Sequence, residues 1–174
     1  MIDSSEYTNK FILNQFFADG KLQTRNMNYY YLKTVTPPSV ISTSFSDDSD
    51  TIVFDLTSVY PVESLLSLIR TNIYNRTPGT GSVVVEDTVK FSSLTNYEFG
   101  IPSRNGVWTE LSVSETMLTG MFTVGSSSIN VTVSTSSPFT HNIVTKTLNG
   151  LTYTRLGVSM VNPILEDTIS VTYS

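Results

Sequence analysis

The hydrophobic positions of this chain recur mostly with a period of two. In TIVFDLT (51–57), Ile52, Phe54 and Leu56 share one face. In INVTVS (129–134), Ile129, Val131 and Val133 alternate with Asn130, Thr132 and Ser134, and TISVTY (168–173) does the same with Ile169, Val171 and Tyr173. NYYYLKTVT (28–36), SVVVEDTVKF (82–91), VWTELSVS (107–114) and MLTGMFTV (117–124) are of the same kind. Short alternating runs separated by Gly, Pro, Asn and Ser predict antiparallel strands with one buried face each. Thr and Val suit such a half-buried pleated surface.

Two segments follow a different rhythm. DSSEYTNKFILNQFFADG predicts a helix over about residues 4–18. Asp3 and Glu6 have the spacing of a capping box, Tyr7, Phe11, Ile12 and Phe16 recur at helical intervals, and Gly20 can cap the end. A hairpin turning at Asp19-Gly20 competes with it. YPVESLLSLIRTNIYN predicts a second helix over about residues 61–75. Pro61 suits the first helical position, Glu63 sits where the dipole favours a carboxylate, and Val62, Leu65, Leu66, Ile69 and Ile73 form an apolar stripe. Pro78 and Gly79 stop it. The expected fold class is mainly β: an antiparallel β-sandwich or barrel with one or two packed α-helices, in a single domain over residues 1–174. No internal repeat and no low-complexity linker divides the chain.

The stretch TKTLNGLTYTRL (145–156) reads as a hairpin turning at Asn149-Gly150, a pair that tolerates the positive φ of a type I′ turn. That turn sets the register. Leu148 opposes Leu151, Lys146 opposes Tyr153 and Val144 opposes Arg155 on one face. Thr147 opposes Thr152, Thr145 opposes Thr154 and Ile143 opposes Leu156 on the other. One face is a threonine ladder and the other mixes aliphatics with two cations. Neither is expected to be buried wholesale within one molecule. The hairpin is either an edge with one side in solvent or an arm lying on a neighbouring subunit.

Composition sharpens this picture. Charged residues make up 14% of the 174 residues, against about 25% in typical soluble domains. Ser and Thr, 25 of each, take their place. Nine Tyr, nine Phe and one Trp argue for a folded chain rather than a disordered one. Charge depletion is also a property of interface cores. The net charge of −5 comes without a basic arm or stripe, which speaks against sequence-specific nucleic-acid binding. No apolar run approaches the ~18 residues of a membrane span. MIDSSEYTNK lacks the charged and apolar regions of a signal peptide.

Candidate chemistry is sparse. With no Cys, disulfides, thiolate catalysis and cysteine zinc sites are excluded. His141 is the single histidine, so a two-His metal site within one chain is excluded too. No GxSxG nucleophile elbow is present. Asp47, Asp48 and Asp50 cluster in SDDSD and could offer oxygens to a hard cation, though the spacing is not that of an EF-hand; an acidic turn explains them more simply. Gly79 to Ser82 (GTGS) leads into a strand, whereas a phosphate loop needs a helix N-terminus. Tyr29, Tyr30 and Tyr31, with Arg25 and Lys33 nearby, could stack on bases or sugar rings. Asn75-Arg76-Thr77 and Asn130-Val131-Thr132 match the glycosylation acceptor pattern, as chance alone would supply in so Ser/Thr-rich a chain. No catalytic, cofactor-binding or metal residue is assigned, no cofactor is expected, and the chain is read as a non-enzyme.

Ser/Thr/Val/Asn-rich strands, no Cys, low charge and no signal peptide together resemble the structural proteins of tailed-bacteriophage virions. That resemblance implies a non-enzymatic head or tail subunit, made in host cytoplasm and housed in the virion. Its partners would be copies of itself and other virion proteins, met through β-edges, arms and loops, with no membrane. The alternative is a ligand-binding β-sandwich, a carbohydrate-binding or adhesion module, with Tyr29, Tyr31 and Trp108 as its candidate exposed aromatics.

Overall fold

Period-two alternation becomes strand almost wherever it was read. The computed structural model describes residues 16–18, 21–22, 38–60, 62–148 and 150–174, with backbone alone for 16–18, 21–22 and 148. The strands are β1 (Phe16–Ala18), β2 (Lys21–Leu22), β3 (Ser39–Phe45), β4 (Ser49–Asp55), β5 (Leu65–Asn75), β6 (Ser82–Thr95) and β7 (Tyr97–Arg104). They continue with β8 (Val107–Val113), β9 (Met117–Val124), β10 (Ser127–Thr135), β11 (Phe139–Leu148), β12 (Leu151–Met160) and β13 (Ile164–Tyr173). Two antiparallel sheets face each other as a sandwich. The larger has the order β3-β4-β5-β6-β13-β10-β9-β8 and the smaller β11-β12-β7-β1-β2. Leu68, Val89, Leu118, Val133 and Ile169 of the large sheet meet Phe99, Ile101, Leu156 and Val158 of the small one in a dry core.

The expected helix over about 61–75 is a strand. Among the described residues the helical content is one 3-10 turn, Thr57–Val59. The misleading signal has a physical source. Leu65 pairs with Phe91 but Ser67 pairs with Lys90, so Leu66 is an extra residue, a β-bulge. The bulge lets both Leu65 and Leu68 turn inward, while Leu66 stays exposed. Two buried leucines three apart imitate a helix, although Ile69, Thr71 and Ile73 beyond them alternate as a strand should.

The expected helix over about 4–18 falls mostly outside the described residues. Its end, Phe16–Ala18, is strand β1, pairing Phe16 with Phe99 and Ala18 with Tyr97. Ala18 also pairs with Lys21; the competing turn at Asp19-Gly20 itself lies outside the described residues. The ladder offered by β7 supplies partners for this backbone that a lone helix end lacks. The expected strand at 28–36 lies outside the described residues.

The 143–156 hairpin has the register its turn predicts, from Leu148↔Leu151 to Ile143↔Leu156. Gly150 adopts φ +77°. As expected, neither face is buried wholesale: Ile143, Thr145, Lys146 and Thr147 are exposed on β11, which ends the small sheet among the described residues, while the β12 arm lies deeper. In the middle of β12, Thr154, Arg155 and Leu156 are all buried. The threonine-ladder face continues the core face through Leu156 and Val158. On the opposite face Arg155 pairs with Glu98, and Ser159 Oγ donates to the second Glu98 oxygen at 2.9 Å. Gly100 and Gly157 make the seat for that guanidinium: a Cβ at either would come within 2.7 Å of an Arg155 nitrogen. The charge is buried because a carboxylate answers it.

A second ion pair crosses the core side of the large sheet. Arg70 Nε and Nη2 donate to the two carboxylate oxygens of Asp87 at 2.7 and 2.6 Å, with Asp87 1% exposed. Burial alone would lower the Arg70 pKa, but the facing carboxylate more than offsets this and raises it, so the guanidinium stays charged. Tyr97, packed nearby, has its phenol pushed well above the usual tyrosine range by burial.

Candidate functional site

One concavity lies where the two sheets meet at one margin of the sandwich. Strand alternation puts Trp108 and Glu110 on one face of β8, and His141, Ile143 and Thr145 on one face of β11. These faces look at each other across the sheets. His141 Nε2 lies 2.7 Å from Glu110 Oε2, tying the sheets together. One step further along both strands the gap opens into a groove of about 390 Å³, within the size range of small-molecule sites. Val107 and Trp108 form one wall, and Ile143, Thr145, Thr152 and Thr154 the other. Asn105 and Gly106 close the end.

Each wall is built for a local reason. The indole of Trp108 occupies the space above Gly120 of β9, where a Cβ would lie 2.2 Å from its Cζ2. It stacks obliquely on Phe122, with centroids 5.0 Å apart and planes at 57°, a favourable aromatic geometry. Its Nε1–H is buried and finds no acceptor among the described residues. The threonine wall is the hairpin's ladder: Thr145 and Thr154 hydroxyls are 3.3 Å apart, and those of Thr147 and Thr152 3.4 Å. Asn105 sits at φ +56°, a left-handed conformation that Asn tolerates better than most. Its N–H donates to the Thr152 carbonyl at 2.6 Å, and its Oδ1 accepts from the Thr152 N–H at 3.1 Å. The groove therefore presents an indole, aliphatic surface, hydroxyls and an amide, with no formal charge on its lining.

The other sequence candidates lie elsewhere. Asp50 pairs with Arg76, whose backbone N–H donates to the Asp48 carbonyl at 2.8 Å and whose Nε donates to the Asp47 carbonyl at 3.3 Å. The acidic run thus closes the β3–β4 turn against the end of β5. The Arg76 guanidinium holds the Asp50 carboxyl below the usual carboxylate range. Among the described residues no group of three His, Cys, Asp or Glu is placed to hold a metal. Gly79 lies in the β5–β6 turn at φ +80°, where the Thr80 N–H donates to the Thr77 carbonyl. Asn75 donates its side-chain amide to Ser82 Oγ at 2.9 Å, and Asn130 is exposed on β10. Tyr29, Tyr30, Tyr31, Arg25 and Lys33 lie outside the described residues. Trp108 alone of the candidate aromatics is placed in a groove. Glu110 was not singled out; its separation from Trp108 by two positions in VWTELSVS was the available signal.

No family model matches the sequence, and no curated protein matches it. Solved structures do share the fold. A heparinase III is similar at 14% identity with a TM-score of 0.56, over 92% of this chain and 23% of that one. A heparan sulfate lyase mutant from Pedobacter heparinus is similar at 12% identity with a TM-score of 0.59, over 96% of this chain and 24% of that one. The chain spans about a quarter of the length of these proteins. At such identity the likeness is one of fold.

Proposed function

We propose that the protein is a non-enzymatic structural subunit of a virus particle, of the tailed-bacteriophage kind, that assembles through its sheet edges with copies of itself and with other virion proteins. The observation that carries this reading is β3. Among the described residues it is the outermost strand of the large sheet, and all seven of its residues are exposed. Val40, Ile41 and Phe45 are 57, 55 and 66% exposed. The strand holds no Lys and no Pro, two of the devices that blunt a free edge. It does carry a bulge at Ile41, another such device, yet the bulged residue is itself aliphatic. A partner strand would satisfy the outer backbone groups, and burying these three side chains would contribute about 1 kcal/mol each. A second apolar patch, Leu66, Leu94 and Leu165 around the 3.4 Å Lys90–Glu166 pair, offers further contact surface. The low charge and hydroxyl-rich composition support the particle setting.

Light scattering on the purified protein tests the proposal. The expected result is a ring or higher oligomer that Ile41→Lys converts to a monomer with an unchanged melting temperature. A wild-type monomer at every concentration would sink it. The carbohydrate-binding alternative draws on a different feature, the Trp108 groove. The two are compatible, because β3 and β8 are opposite edges of the large sheet.

A further inference from the structure

We infer that the groove between β8 and β11 is a binding site for a neutral oligosaccharide. Four properties of the groove converge on that ligand class.

The first is charge. None of the described residues lining the groove is ionisable. His141 and Glu110, one step along the same strands, are engaged with each other at 2.7 Å. A sulfated or carboxylated glycan would find no cation in the lining to answer its charge, and its desolvation would go uncompensated. The second is the pairing of surfaces. A sugar ring has apolar C–H faces and a hydroxyl rim, and this groove offers Trp108, Val107 and Ile143 beside Thr145, Thr152 and Thr154. Sites of this type combine apolar walls with a few placed polar groups.

The third is unspent hydrogen-bonding capacity. The Thr145–Thr154 and Thr147–Thr152 hydroxyl contacts, at 3.3 and 3.4 Å, are long, beyond the usual range for hydroxyl pairs. Each hydroxyl can donate once and accept twice, so the ladder keeps capacity for a ligand. The Trp108 Nε1–H is buried without an acceptor among the described residues, a bond that is costly to leave unmade. The fourth is rigidity. Gly120 and Phe122 fix the indole from behind, and the reciprocal Asn105–Thr152 bonds fix the groove's end. A preformed site of this kind avoids part of the ordering cost of binding.

The chain contains one tryptophan, so tryptophan emission excited at wavelengths where tyrosine does not absorb reports on this groove alone. The probes are neutral gluco-, galacto- and manno-oligosaccharides, with an oligogalacturonate of equal length as the anionic control. The expected result is a saturable shift of Trp108 emission with at least one neutral probe at millimolar or lower concentration, and none with the anionic one. Thr145→Val combined with Thr152→Val keeps the side-chain shape and removes two hydroxyls. It should weaken binding about tenfold or more while leaving the melting temperature in place. A flat titration and silent calorimetry with every neutral probe would overturn the inference. Equal affinity for the anionic probe, or full affinity in the valine variant, would overturn it as well. None of these outcomes depends on whether the protein oligomerises through β3.

Discussion

Replacing Asp87 by Asn tests whether the buried ion pair organises this sandwich. The carboxylate is 1% exposed and receives two bonds from Arg70, at 2.7 and 2.6 Å. Asn keeps the volume and removes the charge, leaving the guanidinium facing a neutral amide beside the aromatic core. Removing one partner of a buried pair costs about 3–5 kcal/mol, because the other charge is left uncompensated. Arg70 retains 18% exposure, which lets water relieve part of that penalty, so the lower end, about 3 kcal/mol, is expected. For a chain of this size each kcal/mol lowers the melting temperature by about 2–4 °C, giving a fall of about 6–12 °C. Calorimetry reads this directly. Urea unfolding should show a lower midpoint with an unchanged slope. Arg70→Met combined with Asp87→Leu removes both charges and should recover most of the loss, since an apolar replacement of a buried pair is often neutral or better. A single-variant cost under about 1 kcal/mol would place the pair among solvent-screened bridges and refute the reasoning. So would a double variant no more stable than the single one.

Gly120→Ala should force Trp108 from its seat, because the new Cβ would sit 2.2 Å from Cζ2 and 2.6 Å from the Thr109 carbonyl oxygen. A stability loss of about 1–3 kcal/mol, with a change in tryptophan emission, is the expected outcome; unchanged emission would contradict the assigned packing. Asp50, through Arg76, and Asp55, through Thr57, are both held below the ordinary carboxylate value of 3.8. Their stabilisation is complete above that pH and lost as pH falls below it. Melting temperatures should therefore decline below 3.8, and Asp50→Asn with Asp55→Asn should show a shallower decline in the same scan.

Much of this fold was legible where the chain obeys simple alternation. β6, β9, β10 and β13 read directly as strands, and Asn149-Gly150 fixed the β11–β12 register because a two-residue turn leaves one choice. Legibility failed where a local irregularity altered the rhythm. The bulge at Leu66 turned a strand into an apparent helical stripe. β7 contains Gly100 and Pro102, residue types that ordinarily weaken a strand. Gly100 is instead the seat of Arg155, while Pro102 lies beyond the reach of β1, which pairs only with Tyr97–Phe99. Among the described residues no strand pairs with that side of β7 at Pro102, where a missing N–H is tolerated. β3, with Ser and Thr at four of seven positions, lacked an apolar face to betray it. For the candidate site, Trp108 and the threonine ladder could be named from sequence. Their meeting could not, since it depends on how two sheets stack, and the His141–Glu110 contact joins residues 31 positions apart.

The proposed assembly requires that another strand complete the β3 edge. Hydrogen exchange at the backbone amides of Ser39–Phe45, followed by mass spectrometry across a dilution series, tests it most directly. Amides facing away from β4 should be protected in concentrated samples and exchange freely on dilution, while β5 and β6 stay protected throughout. Free exchange of those outward amides at every concentration, in the isolated protein and in its assembled source alike, would contradict the account.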